Sequence, residues 1–254
     1  IEERGFSDSI PAKIIKNNLF GLDIDPRSIQ LMALSLYIKA KSKSKNVDLK
    51  GSNLYALKVT NFENKDIMKL TGFLNLKNSV ENDFFNSILH TKHLDLIGSL
   101  FRLRNGKNST KNSINFFNTI HSYKTKKNQF IDKFIKVIED HFPAEKDALS
   151  SLTGEDYKFT FHAIRLLFGS YDVVITNPPY RDSGTLSENL KKYLSEFYPD
   201  SKSDLYAAFI EKCLDLGKDQ GYIGMVTMQS FLYISSFEKL RKNILGSNSI
   251  VTLT

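Results

Sequence analysis

A chain of 254 residues, 41% of them hydrophobic, is long enough to bury one large core, or one core and an insertion. Its formal net charge of +7 suits a polyanionic partner without identifying one. The single cysteine, Cys213, excludes an internal disulfide and fits a reducing compartment; no signal peptide opens the chain, and no apolar run approaches the roughly 20 residues of a membrane span. The chain opens at Ile1 rather than at a methionine and closes in Val251-Thr252-Leu253-Thr254, which reads as the inside of a strand, so the expectation is an excised piece of a larger protein.

In chain order, residues 1–18 are polar and helical from Pro11 onward, with Ser9 as the candidate cap. Leu19 to Pro26 is a short apolar strand ending in two acids, Asp23 and Asp25. Ile29, Met32, Ala33, Leu36, Tyr37 and Ala40 then repeat at helical spacing, and Asn53 to Val59 is a second strand. Strand, helix, strand is the grammar of a parallel sheet. From about Phe62 to Gly169 long amphipathic patterns replace it, and we read residues 63–168 as a mostly helical insertion between an N-terminal part of the core (1–62) and a C-terminal part (169–254). Tyr171 to Thr176 is an apolar, β-branched run that reads as a buried parallel strand. It stops at Asn177-Pro178-Pro179-Tyr180, where the prolines forbid further ladder bonds. A polar loop, a helix near Leu190–Phe197, an amphipathic helix from Asp204 to about Gly217, a turn at Asp219-Gln220-Gly221 and a strand at Tyr222–Thr227 follow. The last expected elements are a helix at Phe237–Leu245 and a strand at Ile250–Leu253. The fold class is therefore α/β.

Ligands of open α/β sheets sit just outside the C-terminal strand ends, which singles out two places. Asp23 could accept hydrogen bonds from both ribose hydroxyls of a nucleotide-like cofactor, while Asp25 before Pro26 suits a helix cap. Asn-Pro-Pro-Tyr has a sharper logic. The exocyclic amine of adenine is a poor nucleophile because its lone pair is delocalised into the ring. Two carbonyl acceptors beside its hydrogens favour a tetrahedral nitrogen and stabilise the positive charge that grows during attack. Asn177 can supply a side-chain carbonyl and Pro178 a backbone carbonyl, with Pro178 and Pro179 holding φ fixed. Tyr180 offers a face for an extruded base, worth about 1–3 kcal/mol.

Gly21-Leu22-Asp23-Ile24-Asp25-Pro26, the Tyr171–Tyr180 segment, the Asp204-Leu205-Tyr206-Ala207-Ala208-Phe209 helix and the Gly221–Thr227 strand together resemble S-adenosylmethionine-dependent adenine-N6 DNA methyltransferases. Their order is similar to the γ class and its Eco57I-like branch. Asn17 to Pro26 and the Tyr37-Ile38-Lys39-Ala40 helix most resemble phage-defence (BREX-type) methyltransferases and large restriction–modification fusions. The resemblance covers residues about 10–62 and 168–245, and it implies a Rossmann-like methyltransferase core and S-adenosylmethionine as cofactor. It also implies double-stranded DNA as partner, other defence-system subunits as further partners, and a prokaryotic cytoplasmic setting. Residue by residue, Asp23 falls on the ribose-binding acid and Ile24 on the residue packed against the cofactor's adenine. Asn61 and Phe62 fall near the family's third motif, Asp204 lines the pocket, and Asn177, Pro178, Pro179 and Tyr180 form the catalytic motif. The Gly-rich loop and first strand that cradle the cofactor's methionine part are absent from this chain, so the fragment is expected to bind the cofactor weakly or not at all.

Other readings use the same tetrapeptide: methylation of ribosomal RNA bases or of protein glutamine amides, or a non-catalytic module that binds DNA or a partner. His90 and His93 could share a helical face, but no further ligands are suitably spaced, so no metal is expected. Cys213 sits in a helical apolar pattern and reads as a buried, inert thiol.

Overall fold

A computed structural model describes residues 9–45, 47–57, 64–76, 97–102, 129–137 and 157–253, together with positions 81, 82, 85 and 140. The chain divides into two compact units, Ile1–Phe168 and Gly169–Thr254.

In the first unit, α1 (Ile10–Asn18) leads into β1 (Phe20–Asp23), α2 (Pro26–Lys41) and β2 (Asn53–Ala56). β1 and β2 pair in parallel, with Phe20 opposite Asn53 and Asp23 opposite Ala56. Pro11 starts α1 where a missing N–H is harmless. Ser9, the expected cap, makes no capping bond through its side chain. Its backbone is already helical (φ −83°, ψ −12°), and the cap geometry needs an extended residue. Asp25 has that geometry (φ −92°, ψ 116°), and its carboxylate accepts from Arg27 N at 2.9 Å, so the strand-to-helix turn is closed by the acid before Pro26. Gly21 allows α2 to lie close on β1: a Cβ there would run into the thioether of Met32 and the side chain of Leu54.

The described parts of the 63–168 stretch are helical apart from a short 3-10 turn, Gly98–Leu100, with residues 101–102 after it, and the helix exits at 75–76 and 167–168. They include α3 (Asn64–Leu74), a helical segment at 129–137 and α4 (Tyr157–Leu166). An aromatic cluster joins the 129–137 segment to α4, with Phe134 edge-on to Phe161 at 4.7 Å and in contact with Phe85 and Phe130. Phe85 is buried in the core. α4 packs on β2, where His162 stacks on Tyr55 at 5.8 Å.

In the second unit, β3 (Tyr171–Thr176) pairs in parallel with β4 (Gly217–Met225). Between them lie α5 (Glu188–Phe197) and α6 (Leu205–Leu216), and α7 (Glu238–Ser247) follows. The expected Asp219–Gly221 turn lies inside β4. From Tyr171 to Val173 on one strand the partners run from Gly217 to Tyr222 on the other, and Gln220 takes φ +64° to fit the extra residues. Gly221 is needed there, since a Cβ would meet Lys218 O at 3.0 Å and Asp172 O at 3.1 Å. α6 packs on both strands and buries Tyr206, Ala207 and Ile210 against Phe231, Phe237, Leu240 and Ile244. Each large side chain so buried contributes roughly 1.5–3 kcal/mol. Burial pushes the Cys213 thiol up to about 11, which keeps it protonated and inert, as its sequence setting suggested.

Two expectations need correction. β3 is not a buried strand: Val173 is 56% and Ile175 81% exposed. Its β-branched run suits a sheet covered on both faces, whereas among the described residues α6 covers one face of a two-stranded ribbon. Ile250–Leu253 is not a strand, because ladder bonds need a neighbour and among the described residues none lies beside it.

Candidate active site

The last rung of the β3–β4 ladder region is Val226 N–H to Thr176 O at 3.3 Å; beyond it Pro178 and Pro179 have no N–H to donate. The chain leaves the sheet with Pro178 buried and Asn177, Pro179 and Tyr180 exposed at the C-terminal edge. The carbonyl of Pro178 accepts no hydrogen bond from any described residue.

Tyr180 is held at both ends. Its hydroxyl lies 3.0 Å from Val226 O and 3.2 Å from Asn177 Oδ1, one proton facing two acceptors. Its ring meets Tyr206 edge to face, with centroids 6.4 Å apart and planes at 71°. Tyr206 is 1% exposed, packs on Phe237, and shares a 2.7 Å hydrogen bond with Ser230 Oγ. Burial pushes its phenol up, so it stays neutral. Tyr180 itself keeps 47% of its surface exposed, enough to offer a ring face to a planar ligand.

The exit from the corner is fixed by the main chain. Leu205 N–H donates to Arg181 O at 3.1 Å, Ser183 N–H donates to Ser203 O at 3.0 Å, and Asp182 bridges Asp204 in antiparallel fashion. Asp204, assigned by resemblance to the pocket, thus joins the corner as the cap of α6, accepting from Tyr206 N at 3.2 Å. Burial pushes its carboxyl above the ordinary range, against the lowering effect of the N–H groups that it accepts from.

Asp23 and Ile24 lie in the first unit, at the end of β1. Asp23 Oδ1 accepts from Asp25 N at 2.8 Å, and its main-chain oxygen accepts from Leu57 N at 2.8 Å. These bonds fix the direction of the carboxylate and leave its second oxygen for a ligand hydroxyl. Ile24 is 52% exposed, with Gly98 beside it: a Cβ at Gly98 would lie 2.7 Å from Ile24 Cγ2. An oriented acceptor beside an exposed apolar side chain is an acceptor-and-surface set that could receive a ribose with an attached base. Asn61 and Phe62 lie outside the described residues, as do His90 and His93. No cluster of possible metal ligands occurs among the described residues.

Sequence reasoning missed three parts of the corner: Tyr206 behind Tyr180, Ser230 behind Tyr206, and the carbonyl of Val226. Tyr206 stands within the Asp-Leu-Tyr segment that drew attention to Asp204, but nothing in the spacing pairs it with Tyr180. A main-chain carbonyl has no sequence signature at all.

At this strand end an amide, a main-chain carbonyl without a described partner and an anchored tyrosine ring stand together, a set of acceptors and a ring face that could receive a flat, amine-bearing group. Residues 17–254 match the family model described as Eco57I restriction-modification methylase, and the chain belongs to that family. It is 26% identical over 258 residues to the adenine-specific methyltransferase BrxX of Escherichia coli O9:H4 (strain HS), covering 99% of this chain and 21% of that protein. It is 28% identical over 250 residues to the adenine-specific methyltransferase PglX of Lacticaseibacillus casei (strain Zhang), covering 96% of this chain and 19% of that protein. A shorter match, 29% over 89 residues, links 33% of the chain to 9% of the type II restriction enzyme and methyltransferase RM.Eco57I of Escherichia coli. The chain thus spans about a fifth of the length of the first two relatives.

Proposed function

We propose that this chain carries the catalytic corner of a DNA adenine-N6 methyltransferase of a restriction–modification or phage-defence system. The observation that carries the reading is the Asn177–Pro178–Tyr180 corner: an amide oxygen, a backbone carbonyl without a described partner, and an anchored, half-exposed ring at one strand end. Extrusion of the target adenine from the duplex brings its amine to this corner. Asn177 Oδ1 and Pro178 O then accept the two amine hydrogens, which draws the nitrogen toward tetrahedral geometry and stabilises its growing positive charge. Tyr180 stacks on the base and limits its rotation, so part of the rate gain comes from orientation alone.

S-adenosylmethionine, when bound, supplies a methyl group activated by a sulfonium. In this reading Asp23 accepts from the ribose hydroxyls and Ile24 packs on the cofactor's adenine, and the family resemblance assigns Asn61, Phe62 and Asp204 to the cofactor as well. Residues 1–62 and 169–254 form the two parts of a Rossmann-like core, and 63–168 are an insertion within it. Duplex DNA is the partner, with other defence subunits around it, in the cytoplasm of a prokaryote. Among the described residues no helix is long and apolar enough to cross a membrane.

Methyl transfer from labelled S-adenosylmethionine by the full-length protein tests the reading, with duplex DNA, ribosomal RNA and protein offered in parallel. Label in the adenine of duplex DNA is expected. Label in RNA or glutamine transfers the corner to another planar nitrogen, and label in none of them leaves a binding module.

A further inference from the structure

On the functional reading above, we propose that the Tyr180 hydroxyl is a positioning group that fixes the Asn177 amide with its oxygen, not its nitrogen, available to the target amine. The two ends of an amide are nearly the same shape, but only the oxygen can accept the hydrogens of an amine. Asn177 is exposed and lies beyond the last strand residue, so the ladder does not hold its side chain. The Tyr180 hydroxyl, 3.2 Å from Oδ1, is the described group that holds it, and a hydrogen bond donated from there selects the oxygen.

The same hydroxyl lies 3.0 Å from Val226 O, a group that can only accept. Val226 is in turn tied by its N–H to Thr176 O, the residue before Asn177. The hydrogen bonds that link Thr176, Val226, Tyr180 and Asn177 therefore close a ring with the Thr176–Asn177 peptide bond. The arrangement has a consequence for binding. Asn177 Oδ1 has two lone pairs, so it can accept an amine hydrogen on one while the Tyr180 hydroxyl stays on the other. The amide therefore keeps its place when the ligand arrives. The ring of Tyr180, backed by Tyr206, is free to stack throughout.

The test uses the full-length protein and steady-state methylation of duplex DNA. Tyr180→Phe keeps the stacking face and removes the donor. It should lower kcat by about 2- to 10-fold, the loss expected for one hydrogen bond, with KM for DNA within about twofold of the parent. In an Asn177→Asp background both carboxylate ends are acceptors, and Tyr180→Phe should then change kcat by less than about twofold. A Tyr180→Phe protein with the parent kcat overturns the proposal, whatever Asn177→Asp does. So does an equal loss in both backgrounds, which would make the hydroxyl a general support of the corner. Asn177→Ala that methylates at the parent rate overturns the functional reading itself, a result distinct from either.

Discussion

Tyr206 is the side chain through which the core of the second unit reaches the candidate active site. Replacing it separates two contributions. Tyr206→Phe keeps the ring between Tyr180 and Phe237 and removes only the 2.7 Å hydrogen bond to Ser230. A neutral bond of this kind contributes about 0.5–1.5 kcal/mol. Tyr206→Ala removes the ring as well. At 1% exposure the side chain leaves a cavity among Ala207, Ile210, Phe231 and Phe237, and losses of about 3–5 kcal/mol are usual for such truncations. Two aromatic contacts, each worth about 0.5–1.5 kcal/mol, are part of that sum. Against a domain stability of roughly 5–15 kcal/mol the Phe variant should fold normally, and the Ala variant should lie near the edge of folding. Urea unfolding followed by circular dichroism gives both numbers from midpoints at constant slope. A loss below about 1 kcal/mol for Tyr206→Ala, or equal losses for the two variants, would refute the assignment of Tyr206 as the ring-packed support of Tyr180.

Two further substitutions probe the helix starts. Asp25→Ala should cost about 0.5–2 kcal/mol by removing the cap of α2, seen as a lower urea midpoint, while Asp25→Ser should recover most of it. Asp204 caps α6 with its carboxyl pushed up by burial, so folding favours its protonated form. That contribution is present below the ordinary carboxylate range and is lost as pH rises through the raised value. Asp204→Asn keeps an acceptor for Tyr206 N and carries no charge. Its stability relative to the parent should therefore improve as pH rises from the acid side to neutrality, measured as the difference in urea midpoint. A difference that does not change with pH would contradict the burial of that carboxylate.

What was legible in the sequence follows from what side chains alone specify. Helical spacing marked α2 and α6, Pro26 after an acid marked the start of α2, and Pro178-Pro179 marked the end of β3, because each acts through local geometry. The family could be read from the same segments. What escaped depends on partners distant in the chain. Val173 and Ile175 look like core residues but are exposed on a two-stranded ribbon, and Ile250–Leu253 has strand composition without a neighbouring strand among the described residues. The start of β4 was hidden because Gly217 pairs before the Asp219–Gly221 turn, which the strand absorbs as an irregularity. At the site, the amide and the tyrosine were visible, while the ring and the carbonyl that hold Tyr180 come from 26 and 46 residues further along.

The central claim is that Asn177 polarises a target amine on DNA. Its most direct test is the N6-methyladenine content of DNA from cells that express the full-length protein, compared with the Asn177→Ala variant at matched protein level. The account predicts abundant methyladenine with the parent, a fall of at least about 100-fold with the variant, as for loss of one such acceptor or donor, and unchanged retention on duplex DNA. Equal methylation by the two proteins would contradict it.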